Sequence, residues 1–192
     1  MEGLDKKEEQ NPKNDFFVQN LESKLYRMAL KNCFSKIIFV CIGTNRMTGD
    51  SFGPKVGDNL KSKFQNIPNI EVYGTANEPV HFLNAQKYLQ TINKENACII
   101  VIDSAFASYQ NIGNTYVNWG GMKLGKAFQK EFYFPANMNI KTVIAERTKN
   151  EKENFNYIVK CDNKKIEDLS FQVAEAIYFA ISKIKIYQLG TE

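Results

Sequence analysis

A chain of 192 residues, 43% apolar and 24% charged, has the length and ordinary balance of one globular domain with a substantial core. Its net charge of +4 is small, and its basic residues (Lys6, Lys55, Lys87, Lys141 and Lys164 among them) are scattered, which argues against a nucleic-acid partner because such binding concentrates cations on one face. No run is long and apolar enough to span a membrane, and the polar stretch Met1 to Asn14 lacks the apolar core of a secretory signal, so neither a membrane nor a secreted setting is expected.

The four cysteines, Cys33, Cys41, Cys98 and Cys161, include no C-x-x-C pair, which removes zinc-ribbon and thioredoxin-type chemistry. Cys41 and Cys98 fall inside apolar runs, where a free thiol packs as a small hydrophobe. This usage fits a reducing, cytoplasmic compartment.

Residues 1–14 read as a disordered polar tail, leaving residues 15–192 as a single α/β domain. Phe16 to Ala29 repeats apolar residues at helical spacing and predicts a helix from Asp15 to Lys31. Ile37 to Ile42 is a short continuous apolar run that ends at Gly43, the mark of a buried parallel strand. Phe52, Val56, Leu60 and Phe64 then mark a helix. Ile70 to Tyr73 predicts a second strand. Asn77 offers an N-cap for a helix that carries Pro79 in its first turn and continues through Phe82, Leu83, Tyr88, Leu89 and Ile92.

A third strand, Cys98 to Ile102, closes on Asp103 and Ser104. Between Asn111 and Phe134 the rhythm breaks: Thr115 to Trp119 and Phe128 to Phe134 predict strands around the Gly120-Gly121 turn, which fits an added antiparallel hairpin. Asn139 to Ala145 predicts a later strand, and Leu169, Val173, Ile177, Ala180, Ile181 and Ile184 predict a helix from Asp168. Alternating helices and buried strands predict a three-layer α/β sandwich with a mainly parallel sheet.

Ligands of open parallel sheets bind at the carboxyl ends of the strands, near a reversal of strand order. Three polar clusters fall at such ends: Gly43-Thr44-Asn45-Arg46-Met47-Thr48-Gly49-Asp50, then Gly74 to His81, then Asp103-Ser104. If the first and third strands are neighbours, Asp50 and Asp103 face one crevice. Two carboxylates in one cleft can hold one proton between them, so one activates water while the other protonates a leaving amine. With His81 nearby, the same pair would offer metal ligands.

Each residue also has a structural reading. Asp50 would equally cap the helix starting at Ser51. Glu78 would complement a helix dipole, and His81, the only histidine, would sit in a first helical turn. Arg46 would pair with Asp50, bind a substrate carboxylate, or stay solvated. The glycines Gly43, Gly49 and Gly53 allow a tight loop but match no G-x-G-x-x-G or Walker pattern, so no nucleotide cofactor is expected. Trp119, Phe132, Tyr133 and Phe134 would line a peptide groove or simply pack.

The segments Cys41 to Pro54, Tyr73 to Asn84 and Val101 to Ser104 closely resemble the YyaC-type proteins of spore-forming bacteria, a family described as spore proteases. The resemblance covers Ile37 to Gly125 and, more weakly, the C-terminal helix; Thr48-Gly-Asp-Ser-Phe-Gly-Pro54 is its most specific piece. It implies kinship with the spore germination protease and the hydrogenase maturation peptidases, and a phosphorylase/hydrolase-like α/β sandwich. In the germination protease one catalytic Asp stands in a Pro-Asp-x-x-Gly-Pro turn, which maps onto Asp50, and the second stands in an Ile-Asp-Ala context, which maps onto Asp103. In the hydrogenase peptidases acidic residues at these positions help bind nickel with a later His, and this chain has no His after Asp103. The family loop usually reads Gly-Thr-Asp-Arg, whereas Asn45 stands here in place of the acid. A usual Gly-Asp segment after Lys126 is replaced by Phe132-Tyr-Phe-Pro-Ala-Asn-Met-Asn139.

The resemblance thus implies a sporulation-associated protease, cytoplasmic or in the forespore, with Asp50 and Asp103 as catalytic pair and a protein or peptide as substrate. Gly43, Thr44, Asn45, Arg46, Glu78, His81 and Ser104 are the candidate substrate-binding residues. No metal or other cofactor is assigned. Two alternatives stand beside it: a non-catalytic binding protein on a peptidase-derived scaffold, and a metal-dependent maturation peptidase.

Overall fold

A computed structural model describes residues 12–30, 34–125 and 131–189. Five strands form the central sheet, in the order β2 (Ile70–Tyr73), β1 (Lys36–Cys41), β3 (Ala97–Ala107), β7 (Met138–Glu146), β4 (Thr115–Trp119). β2, β1, β3 and β7 run parallel, and β4 joins β7 antiparallel. Two short strands, β5 (Met122–Leu124) and β6 (Phe132–Phe134), pair antiparallel in a sheet of their own. The architecture is therefore a mainly parallel α/β sandwich with antiparallel additions.

Both faces of the sheet are covered, which explains why β1 and β3 read as unbroken apolar runs. On one face lie α1 (Pro12–Ala29), α2 (Phe52–Phe64) and α5 (Asn163–Leu189), with α5 packed against both of the others. Phe17, Leu21 and Leu25 of α1, Phe52, Val56 and Leu60 of α2, and Val173, Ile177 and Ile181 of α5 meet Phe39, Cys41, Ile100, Ile102 and Ile140 of the sheet. Burial of each such large side chain contributes roughly 1.5–3 kcal/mol. On the other face Ile38, Val40, Ile42, Ile99 and Val101 meet Val80, Ala85 and Ile92 around α3 (Ala85–Thr91), together with Met122, Leu124 and Phe134 of the small sheet. Cys41 and Cys98 are buried in strands, as free thiols.

Several boundaries differ from expectation. Pro12 to Asn14 begin α1, so the predicted tail gives way to helix earlier; residues 1–11, Cys33 and the predicted end of α1 at Lys31 lie outside the described residues. So do residues 126–130, the first part of the predicted strand Phe128 to Phe134. The predicted helix from Asn77 is absent. Thr75 and Glu78 close a turn instead, with the Thr75 N–H donating to the Glu78 carbonyl at 3.2 Å. Val80 bridges Ile42 in parallel, and the Gly43 N–H donates to its carbonyl at 2.8 Å. That backbone extends the β1 ladder and cannot also be helical, so the helix starts only at Ala85.

β3 does not end at Asp103 but runs on to Ala107, because β7 supplies ladder partners from Ile100 to Ala107 after β1 has stopped at Cys41. A helix α4 (Glu151–Lys160) has no counterpart in the sequence reading; none of its residues is buried, and Asn150 caps it by accepting from the Lys152 N–H at 3.0 Å. α5 starts at Asn163 instead of Asp168, since Asp162 accepts from the Lys164 N–H at 2.9 Å and Ile166 is already buried.

Candidate active site

The chain leaves β1 toward β2 on one side and reaches β3 and then β7 on the other, so strand order reverses at β1 and β3. A crevice at the carboxyl ends of these strands is where open α/β sheets bind ligands. The loop after β1 and Asp103 of β3 both come to this place.

Asp50 stands in a short 3-10 turn, Gly49–Ser51, between the loop and α2. Two close approaches fix this turn. Gly43 has φ +145°, and a Cβ there would lie 2.0 Å from the Asp50 carbonyl oxygen. Gly53, in the first turn of α2, packs so tightly on β1 that a Cβ would lie 2.0 Å from the Ile42 carbonyl oxygen. Asp50 does not cap α2: neither Thr48 nor Ser51, the flanking positions, makes a side-chain cap, and the Asp50 carboxylate turns back to accept the Thr44 N–H at 2.8 Å. Burial raises the Asp50 pKa above its ordinary value, and this N–H partly offsets the rise.

Asp103 is the more perturbed group. Along β3, Ile99 and Val101 face the layer of α3 and the small sheet, so alternation puts Asp103 on that side. Its carboxyl accepts the Ser104 N–H at 2.7 Å. Burial first, and then the negative charge of Asp50, push its pKa up to about 8; the Ser104 N–H and the cation of Lys141 act in the opposite sense. The Asp50 charge thus reaches Asp103. Burial and the Asp50 charge both favour the protonated form of Asp103, while burial is the leading influence on Asp50.

The other candidate residues distribute around this pair. The N–H groups of Gly43 and Thr44 are both taken inside the protein, by Val80 and by Asp50. Asn45 is exposed and its amide donates to the Ala76 carbonyl at 2.8 Å, tying the β1 loop to the loop after β2. Arg46 is exposed and faces His81, whose pKa is lowered first by partial burial and then by that guanidinium. His81 lies in the turn before α3, not in a helix; its Nδ1 accepts the Leu83 N–H at 3.3 Å. Glu78 is exposed in the turn with Thr75 and meets no helix N-terminus. Ser104 contributes its N–H to Asp103. Of the aromatic stretch, Phe134 is buried, Phe132 packs edge-on against it at 6.4 Å, the Tyr133 hydroxyl accepts the Gly121 N–H at 3.0 Å, and Trp119 lies under the Lys24 ammonium at 4.7 Å.

Lys141 was not legible as a site residue. It sits on β7 in register with Asp103, and no motif marks it; only the pairing of β3 with β7 brings it there. Zinc sites take three or four protein ligands. Among the described residues, no three His, Cys, Asp or Glu side chains gather in one group. Also among the described residues, no helix is long and apolar enough to cross a membrane.

The fold is similar to that of the NiFe hydrogenase maturation protease HycI from Thermococcus kodakarensis KOD1, with a TM-score of 0.50 and 15% identity over 80% of this chain and 99% of that one. At this identity the likeness is one of fold. In sequence the chain is 34% identical over 110 residues to the uncharacterized protein YyaC of Bacillus subtilis (strain 168); the match spans 56% of this chain and 53%, about half, of that relative. The family model described as "Protein of unknown function (DUF1256)" matches residues 9–177, and the chain belongs to that family.

Proposed function

We propose that this protein is a peptidase-type hydrolase that uses Asp50 and Asp103 as a proton-sharing pair on a protein or peptide substrate. The observation that carries the reading is the unequal pair at the strand-order reversal: Asp103 is raised to about 8 by burial and by Asp50. Ionised Asp50 takes a proton from water as the water oxygen attacks the amide carbon. Protonated Asp103 gives its proton to the leaving nitrogen as the C–N bond breaks. The peptidase-like fold is compatible with this chemistry, and a sporulation setting is the part of the proposal that draws on the resemblance of the loop motifs to YyaC-type proteins.

The test is incubation of the full-length protein with a proteome-derived peptide mixture, with new termini mapped by mass spectrometry. Wild type generates discrete termini, and Asp50→Asn and Asp103→Asn each slow their formation by about 10²-fold or more. Unchanged cleavage in both variants would overturn the assignment. A second reading, a peptide-binding protein without turnover, draws on one observation: the Asp50 carboxylate and the Asn45 amide are both engaged within the loops. A peptide retained uncut by wild type supports that reading, and turnover excludes it.

A further inference from the structure

We propose that Lys141 is the positioning cation of the carboxylate pair, held on β7 beside Asp103 to compensate the negative charge that Asp50 and Asp103 share. The inference rests on the reading of these two residues as a working pair and adds a third charged member that no loop motif includes.

Three observations support it. First, Asp103 and Lys141 are directly in register on adjacent parallel strands. Met138 and Ile140 of β7 face the α1, α2 and α5 layer. Asn139 points the other way, its amide donating to the carbonyls of Gly120 and Gly121 at 3.0 and 3.2 Å. Alternation therefore puts Lys141 on the same side of the sheet as Asp103. Second, Lys141 is half-buried, although an isolated lysine favours water, and among the described residues no group forms an ion pair or hydrogen bond with its ammonium. Every ion pair seen in the described residues engages other lysines: Lys36, Lys55, Lys63, Lys123 and Lys183. Third, the charge around Asp103 is otherwise one-sided. Asp50 faces it from the β1 loop, and the neighbouring β5 and β6 contribute the apolar Met122, Leu124 and Phe134. On β4, the residue in register with Lys141 is Tyr116, whose hydroxyl is engaged with Asn111 and Asn114. Arg46, on the β1 loop, acts on His81. The charge of Lys141 opposes the rise of the Asp103 pKa, as the last of four influences on it.

A fixed ammonium at this point has a defined consequence. It leaves Asp103 protonated at neutral pH yet able to give up its proton, and it steadies the ionised form once the proton has moved to a leaving group. Asp103 without it would hold its proton more tightly. An arginine would preserve the charge on a similar stem.

The experiment needs no substrate. Carboxyl carbons of the full-length protein are labelled and followed by NMR across a pH titration in wild type, Lys141→Met and Lys141→Arg. The Asp103 midpoint moves up in Lys141→Met, by less than it moves down in Asp50→Asn, and stays at the wild-type value in Lys141→Arg. A wild-type midpoint in Lys141→Met overturns the proposal. A companion measurement avoids any risk that the Met variant misfolds: in wild type the Lys141 Cε resonance inflects at the Asp103 midpoint, and the inflection vanishes in Asp103→Asn. No inflection in wild type overturns the proposal equally. Coupling without any peptide cleavage would keep Lys141 in its role and defeat the peptidase reading; cleavage without coupling would do the reverse.

Discussion

The Thr44 N–H donates to the Asp50 carboxylate at 2.8 Å and to the Asp50 carbonyl at 3.1 Å, so one backbone group holds both the side chain and the main chain of the residue on which the site turns. The loop is closed on itself before any ligand arrives. A carboxylate accepting one backbone N–H keeps lone pairs for water, which is what a general base needs. This contact, not a helix cap, orients Asp50.

Gly43 makes the contact possible. Its φ of +145° suits glycine, and a Cβ would collide with the Asp50 carbonyl. Gly43→Ala is expected to lower stability by about 2–4 kcal/mol, read as a lower urea midpoint. An unchanged midpoint would show that the loop relaxes freely and does not fix Asp50.

Asp103 predicts a pH dependence of stability. Its pKa is higher in the folded chain, at about 8, than its ordinary 3.8, so the folded state binds the proton more tightly. The stabilisation is present below 3.8 and is lost as pH rises through about 8. Urea midpoints of wild type should fall across that window, and those of Asp103→Asn should fall less. Above the window the Asn variant is expected to be more stable than wild type by about 1–3 kcal/mol, the cost of a buried charge being removed. Parallel curves for the two proteins would contradict the perturbation.

The two carboxylates should be separable by substitution. Asp50→Asn removes a negative neighbour and lowers the Asp103 midpoint measured by carboxyl NMR. The midpoint remains above 3.8, because burial is the larger cause of its rise. A midpoint that does not move would mean that the pair does not share charge.

Asn45 occupies the position where the resembled family carries an acid. Here its amide is a donor to the Ala76 carbonyl, a role that a carboxylate cannot fill. Asn45→Asp is expected to cost about 1 kcal/mol in a denaturation experiment. It should also leave the Asp103 midpoint near its wild-type value, because Asn45 is exposed and directed to the neighbouring loop. A large movement of that midpoint would place residue 45 within the carboxylate site.

Asn84 holds the turn that carries His81. Its Oδ1 accepts the His81 N–H at 2.7 Å, and its Nδ2 donates to the Pro79 carbonyl at 2.9 Å. Asn84→Ala should destabilise the protein by about 1–2 kcal/mol, more than His81→Ala, as measured by thermal unfolding. The opposite ranking would argue that the imidazole, and not the amide, organises this loop.

The sequence by itself determined the buried strands β1 and β3, the helix α2 and the apolar stripe of α5, because unbroken apolar runs and a period of 3.6 record burial directly. It also marked Asp103, the polar residue that ends the apolar run of β3, and Asp50, in the loop that follows the run of β1. Tertiary structure decided what local pattern does not encode. The pairing of Val80 with Ile42 converted a plausible helix start at Asn77 into an extended segment. The continuation of β3 alongside β7 carried Asp103 into mid-strand and set Lys141 beside it. α4 buries none of its residues, yet its Ile158 backbone lies against Gly49 next to Asp50. Strand pairing is made by backbone hydrogen bonds between residues far apart in the chain, and these carry no mark in the spacing of side chains. The sequence could therefore nominate Asp50 and Asp103 as candidates, whereas the register of Lys141 with Asp103 emerged only when β7 came to rest against β3.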